Sequence, residues 1–389
     1  MYNHLFPQDL YLPDIDYHLI TIDLSSSWDW KTNISESALN RTSNAATGTF
    51  APALAGGALY NGSPDHPRIY SYGGYTSYWN VQFPGFEVPE NTQYGLWSYN
   101  TENGEWTQYD ISSGSPWRPS SGAYTEAPDQ GLAFYFNGEL NSGSSTTTEV
   151  LGDYVKIFLQ GLIVLNTTDH TAKNFSTNAV SGIQPRTRGA LEYIPSIGKS
   201  GILVAIGGTW KQADALDREE TPNYVSMETV DVFSLDFLHT TSSGADGGWY
   251  KQKTTGVNGT IPGKRAEFCT VMMSAPDNSS HNVYVYGGRG PNNQYFDDIW
   301  ILSIPSFTWT SLFNGTSPRY GHTCHLAGSR TMLTVGGAPP SVYTGGPCDW
   351  EYRGVGVLDM STLFWGSKYD ASLPAYQLPD QLVATIGGS

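Results

Sequence analysis

Short alternations of apolar and polar residues, each cut off by a glycine pair, run along this chain. The clearest stands at residues 281–312, HNVYVYGGRGPNNQYFDDIWILSIPSFTWTSL. VYVY alternates β-branched and aromatic residues as a strand does, and it stops at Gly287-Gly288, where a Cβ would obstruct a turn. A polar loop leads to IWILSI, again at strand period. Pro305-Ser306-Phe307 then makes a turn, and a closing strand carries Trp309. Upstream, KRAEFCTVMMS supplies one strand more. The unit is four short antiparallel strands, with glycines after the second and an aromatic in the fourth. It cannot bury its faces alone, so copies must stack in a ring.

Copies are present. The glycine pair recurs at Gly73-Gly74, Gly207-Gly208, Gly336-Gly337 and Gly387-Gly388, with Asn137-Gly138 as a worn sixth. The aromatic recurs as Trp30, Trp106, Phe175, Trp249 and Trp365, and the two series interleave. One pair among 43 glycines says nothing, whereas six in register with an aromatic define a repeat. The pattern resembles the kelch repeat over nearly the whole chain. It is similar to fungal secreted or cell-surface kelch ectodomains of the galactose oxidase-like propeller superfamily. The resemblance implies an all-β fold, a six-bladed β-propeller of four-stranded antiparallel blades in one domain spanning 1–389.

The interleaving suggests how the ring closes. YHLITIDLSSSWDW at 17–30 reads as third and fourth strands lacking a first half, and LVATIGG at 382–388 as an inner strand lacking a second half. The expected blades are 31–110, 111–178, 179–254, 255–312 and 313–369, closed by 370–389 with 11–30. Relatives carry a further half-repeat upstream, which makes seven blades the alternative.

Composition suits this reading, with aromatics at 13% and charged residues at only 14%. A formal charge of −16 argues against nucleic acid and anionic membrane surfaces, which need a basic footprint. No apolar run approaches the roughly 20 residues of a membrane helix. FLQGLIVL, the longest, reads as a strand. Eight sequons, at Asn33, Asn40, Asn61, Asn166, Asn174, Asn258, Asn278 and Asn314, point outside the cell. So does an expected disulfide between Cys324 and Cys348, which would staple a long loop to its own blade and leave Cys269 free. The expectation is a secreted or cell-surface monomer whose signal peptide, and any membrane tail, lie outside this chain.

The insertions mark a binding face. From Gly288 to Trp309 is 21 residues, but from Gly208 to Trp249 is 41. The extra length falls between second and third strands, on one face of the disc. The loop at 75–95 carries Tyr75, Tyr78, Trp79, Phe83 and Phe86, either as a cover folded over the disc or as a platform for a flat ligand such as a sugar. Trp210 opens the loop at 209–229, and ADALDREE within it could form a helical turn. Asp349, Trp350, Glu351 and Tyr352 crowd beside Cys348 as a contact patch or a plug at a blade junction. Arg118, Arg186, Arg265 and Arg319 stand at equivalent places before the first strands. They would form an anion site at the channel mouth or, as kelch-type propellers imply, satisfy carbonyls between blades.

Catalysis finds little support. The resemblance raises a galactose oxidase-like copper radical site, which needs two histidines, two tyrosines and a cysteine joined to one of them. His322 and His325 flank Cys324, but strand alternation sends His325 to the opposite face. Phosphate-loop, zinc-spacing and nucleophile-elbow motifs are not found. The expected function is non-catalytic recognition of an extracellular glycan or protein ligand through the long loops, without cofactor or metal. An adhesion scaffold without a small ligand is the other reading.

Overall fold

The alternating stretches become five sheets of four antiparallel strands in the computed structural model, one of them extended by a short parallel strand, Thr255–Gly256. It describes residues 18–52, 54–76, 95–111, 118–151, 155–182, 184–212, 223–239, 247–340 and 355–387. Sheet 1 comprises Ala58–Tyr60, Arg68–Tyr72, Leu96–Asn100 and Trp106–Tyr109. Sheet 2 comprises Ala123–Ala127, Leu132–Phe136, Leu162–Asn166 and Thr171–Phe175. Sheet 3 comprises Ala190–Ile194, Ile202–Ile206, Thr229–Ser234 and Trp249–Lys253. Sheet 4 comprises Cys269–Ser274, His281–Tyr286, Asp298–Ile304 and Thr308–Asn314, and sheet 5 Tyr320–Ala327, Thr331–Ala338, Val355–Asp359 and Phe364–Gly366. Among the four antiparallel strands of each sheet, chain order is also spatial order. This all-β arrangement is consistent with a kelch β-propeller.

Burial explains the sequence pattern. Second strands are covered on both faces, so His281–Tyr286 and Ile202–Ile206 are buried throughout. Fourth strands are less covered; in Trp249–Lys253 only Trp249 is buried, and in Thr171–Phe175 no residue is. The apolar cores lie between successive sheets. Phe136, Leu162, Leu203 and Phe233 join sheets 2 and 3, and Val204, Ile206, Val283 and Trp309 join sheets 3 and 4. Trp309 also donates its Nε1–H to the Met227 carbonyl at 3.2 Å, in the loop ahead of the third strand of sheet 3.

The glycine pairs have a structural reason. Across Gly73-Gly74, Asn137-Gly138, Gly207-Gly208, Gly287-Gly288 and Gly336-Gly337, φ runs from +54° to +108°. Asparagine is among the few non-glycine residues that tolerate this region, which is why Asn137 can stand in. The turn lets Gly74, Gly138, Gly208 and Gly288 donate N–H to the carbonyls of Pro119, Arg186, Arg265 and Arg319, at 2.8, 3.1, 2.9 and 2.8 Å. Each bond ties one sheet to the start of the next. A Cβ on Gly73 would lie 2.3 Å from the Pro119 oxygen.

The termini depart from expectation. Residues 382–386 form no inner strand; they lie in the helix Asp380–Ile386. Pro379 and Asp380 start it, and Gly387, at φ +74°, stops it by donating to Val383 O at 2.9 Å. Leu382, Val383 and Ile386 share one helical face and pack with Tyr284, Ile301, Met360 and Leu378. At the other end His18–Ile22 pairs with Glu36–Asn40, so the four-stranded closing blade expected from 370–389 and 11–30 is not formed by the described residues. The two ends still meet, because Trp28–Asp29 pairs with Lys368–Tyr369. Trp28 and Trp30 pack on Leu333, Val355 and Val357 of sheet 5, while Ala51 packs on Trp97 and Trp106 of sheet 1. The segment 18–52 therefore reaches from the last sheet to the first.

Candidate functional site

A backbone collar links the five sheets where their inner strands begin. Gly56, Ser121, Arg188, Glu267 and Gly321 stand just before or at the start of these strands, all at φ between +56° and +71°. Ser121 N–H donates to Gly56 O at 2.8 Å and Arg188 N–H to Ser121 O at 2.7 Å. Glu267 N–H donates to Arg188 O at 2.9 Å, and Gly321 N–H to Glu267 O at 2.8 Å. The collar lies next to a cavity of about 550 Å³ lined by all five inner strands.

A second set of equivalent positions immediately follows the glycine pairs: Tyr75, Glu139, Thr209, Arg289 and Ala338. The two sets interlock through alternating charges. Glu139 accepts from Arg188 at 2.8 Å and lies 3.6 Å from Lys156. Glu267 is 3.2 Å from Arg188 and 2.7 Å from Arg289, whose guanidinium is 5.3 Å from the centre of the Tyr320 ring. Burial opposes the charge on Arg188, but Glu139 and Glu267 outweigh it and raise its pKa. Tyr75 and Tyr224 are raised by burial, with Arg188 or Arg289 opposing. Lys156 and Arg289 are the more exposed members, at 38% and 35%. The result is a fixed polar surface edged by tyrosines.

Sequence reasoning missed Glu139, Arg188, Glu267 and Arg289, although an offset would have found them. Two residues after Arg186, Arg265 and Arg319 come Arg188, Glu267 and Gly321, and the residue after each glycine pair completes the set. Trp210 does lie on this face: it is half-buried, pairs with Arg186, and lies opposite Asn223 next to Tyr224. Tyr78, Trp79, Phe86, Cys348, Asp349, Trp350, Glu351 and Tyr352 fall outside the described residues.

The four arginines are not an anion site facing the channel, and none lines the cavity. All are buried and spend donors within their own sheets. Arg265 grips Asp298 at 2.6 and 3.0 Å, and Arg186 pairs with Asp231. Arg118 donates to Gly143 O at 3.2 Å, and Arg319 donates to Gly336 O. A guanidinium at this depth must be neutralised or hydrogen-bonded locally, and these carbonyls and carboxylates do so.

The disulfide also differs. Cys324 is bonded to Cys269, not to Cys348, with the Cα atoms 5.4 Å apart. Both cysteines sit on inner strands of adjacent sheets, which the collar brings edge to edge, so the bridge joins two sheets instead of stapling a loop. His322, Cys324 and His325 all line the cavity, because the edge of an inner strand faces the channel, and not one face alone. Burial and the charge of Arg319 lower His322 to about 3. Glu192, also in the channel, is pushed up to about 7 by burial, with a bond from Thr270 opposing.

No family model matches the chain. It is similar to a kelch repeat-containing protein of Arthroderma benhamiae, 29% identical over an alignment of 419 residues that covers 96% of this chain and 56% of that protein. The chain thus spans about half the length of the curated relative it matches. Similarity across almost the whole chain, together with a glycine-pair turn that recurs in every sheet, supports its place in the kelch-repeat family.

Proposed function

We propose that this chain is an extracellular, non-catalytic recognition module that binds a protein partner through the collar face. The observation that carries this is the network Lys156–Glu139–Arg188–Glu267–Arg289, partly exposed and set on hydrogen-bonded backbone next to a cavity. Preorganised charges of both signs select a partner by complementarity. A glycan ligand is the second reading, favoured by Trp210, Tyr224, Tyr295 and Tyr320 beside the same charges, where aromatic faces could stack on sugar rings. The loop aromatics Tyr78, Trp79, Phe86, Trp350 and Tyr352, with Asp349 and Glu351, would extend this face under either reading.

Secretion or surface display is supported by an inter-sheet disulfide and by the sequons, of which only Asn166 is half-buried and the rest are exposed. We take the ring as six-bladed, with 18–52 in the sixth position. The copper radical alternative is disfavoured because Cys269 and Cys324 are bonded to each other, leaving neither for a link to tyrosine. The test is a glycan array run beside a panel of secreted and cell-surface proteins. The double variant Lys156→Glu/Arg289→Glu should lose binding by about thirtyfold, the value of a hot-spot contact near 2 kcal/mol, with melting unchanged. Binding at wild-type strength by this variant would refute the assignment of the face.

A further inference from the structure

We propose that the Cys269–Cys324 bridge is the oxidised form of a zinc site completed by His322, independently of what the collar face binds. One ligand atom from each of Cys269, His322 and Cys324 falls within 4.8 Å of the others. Tetrahedral zinc, with bonds of about 2.3 Å to sulfur and 2.0–2.1 Å to nitrogen, holds its ligands about 3.5–3.8 Å apart. The imidazole is thus within reach of both sulfurs, which are bonded to each other here and would part to ligand spacing on reduction. His322 and Cys324 are two apart on one inner strand, and Cys269 comes from the inner strand beside it.

The second observation is the imidazole itself. His322 is 4% exposed, and its ring hydrogen-bonds the backbone of Tyr286. A metal-ligating histidine commonly gives its other ring nitrogen to a backbone group in this way, and a ring nitrogen within 4.8 Å of two sulfurs is what a metal would use. The ring's place is built: a Cβ on Gly287 would come within 2.9 Å of its Cε1, and one on Gly337 within 2.7 Å of its Cβ. All three residues line the 550 Å³ cavity, so a fourth coordination position would open to water. Three protein ligands and an open position are the pattern of a reactive zinc site.

The redox step balances with an external phosphine as reductant. Phosphine and water become phosphine oxide, the S–S bond breaks, and each sulfur gains a proton. Zinc then displaces those two protons, so each metal bound releases two.

The experiment uses Cys348→Ser protein, which leaves only the two cysteines of the bridge. Chelator-treated protein is reduced with phosphine without oxygen, then titrated with cobalt(II) as a spectroscopic stand-in. Expected are one cobalt per chain, thiolate-to-cobalt charge-transfer bands, tetrahedral visible bands, and displacement by zinc. Unreduced protein should show none of these. His322→Ala should weaken binding by at least about tenfold, since even outer-shell changes cost 10–100-fold. If that variant does not fold, His322→Gln takes its place, and Cys269→Ser tests the thiolate arm separately. The proposal is overturned if reduced, folded protein gives no charge-transfer band, if His322 substitution leaves affinity unchanged, or if circular dichroism shows that reduction unfolds the chain.

Discussion

Removing the carboxylate from Asp298 should destabilise the protein by about 3–5 kcal/mol, the cost of leaving a buried charge without its partner. Arg265 is fully buried. Its guanidinium donates to both Asp298 oxygens at 2.6 and 3.0 Å and to Gly287 O at 3.1 Å, and lies 4.0 Å from the Phe296 ring centre. Asp298 also accepts from Trp300 Nε1 at 2.8 Å. Asp298→Ala therefore strips the guanidinium of its only carboxylate and leaves it with carbonyls and a ring face. Arg265→Met should cost a similar amount by orphaning the carboxylate. The double variant should cost less than the sum, with a coupling of about 0.5–3 kcal/mol, because the second change removes the stranded charge. Urea melts followed by both fluorescence and circular dichroism would measure this, coincident transitions being the condition for reading free energies. A loss below about 1 kcal/mol for Asp298→Ala, the range of an exposed pair, would refute the structural role given to these arginines.

Three further outcomes are expected. Trp309→Ala should cost about 3–5 kcal/mol because it empties a site between two sheets, whereas Trp210→Ala, on a half-buried rim, should keep its melt and weaken ligand binding. Glu192, raised from 4.5 to about 7, binds a proton more readily folded than unfolded, so its contribution to stability is full below pH 4.5 and lost as pH rises to 7; Glu192→Gln should flatten this part of the melting-temperature profile. Leu382→Ala should cost about 2–5 kcal/mol, and deletion of 378–389 more, because the C-terminal helix covers apolar side chains of sheets 4 and 5; a truncated protein with an unchanged melt would show that it does not.

The repeat was legible because its two markers have backbone causes. A pair of positive-φ residues admits glycine or asparagine and little else, so Gly287-Gly288 and Asn137-Gly138 mark the same turn through different letters. Trp309 marks a strand whose first half is covered and whose far end is more exposed. LVATI failed as a strand because five residues, four of them apolar, fit either period, and the deciding signals, Pro379, Asp380 and Gly387, lay at its ends. The cysteine pairing failed for another reason. Residues 55 apart are neighbours only once adjacent inner strands are set side by side, and pairing within one blade ignored that. The charge network stayed hidden because its members come from three different repeats, where chain order says nothing of their proximity.

The collar bears on why those charges are there at all. Its geometry rests on N–H···O bonds between backbone groups, and Gly56 and Gly321 make it without a side chain. Arg188 and Glu267 hold φ +58° and +56°, a region that costs a residue with a Cβ about 1–2 kcal/mol. Their ion pairs belong to a network of five charges, which offsets part of that cost. Glycine at both positions would leave the backbone bonds in place and relieve the strain. The backbone bonds of the ring therefore do not by themselves require an arginine and a glutamate at these two points. Side chains kept at an energetic cost, next to a cavity, are better explained by what they present to a partner.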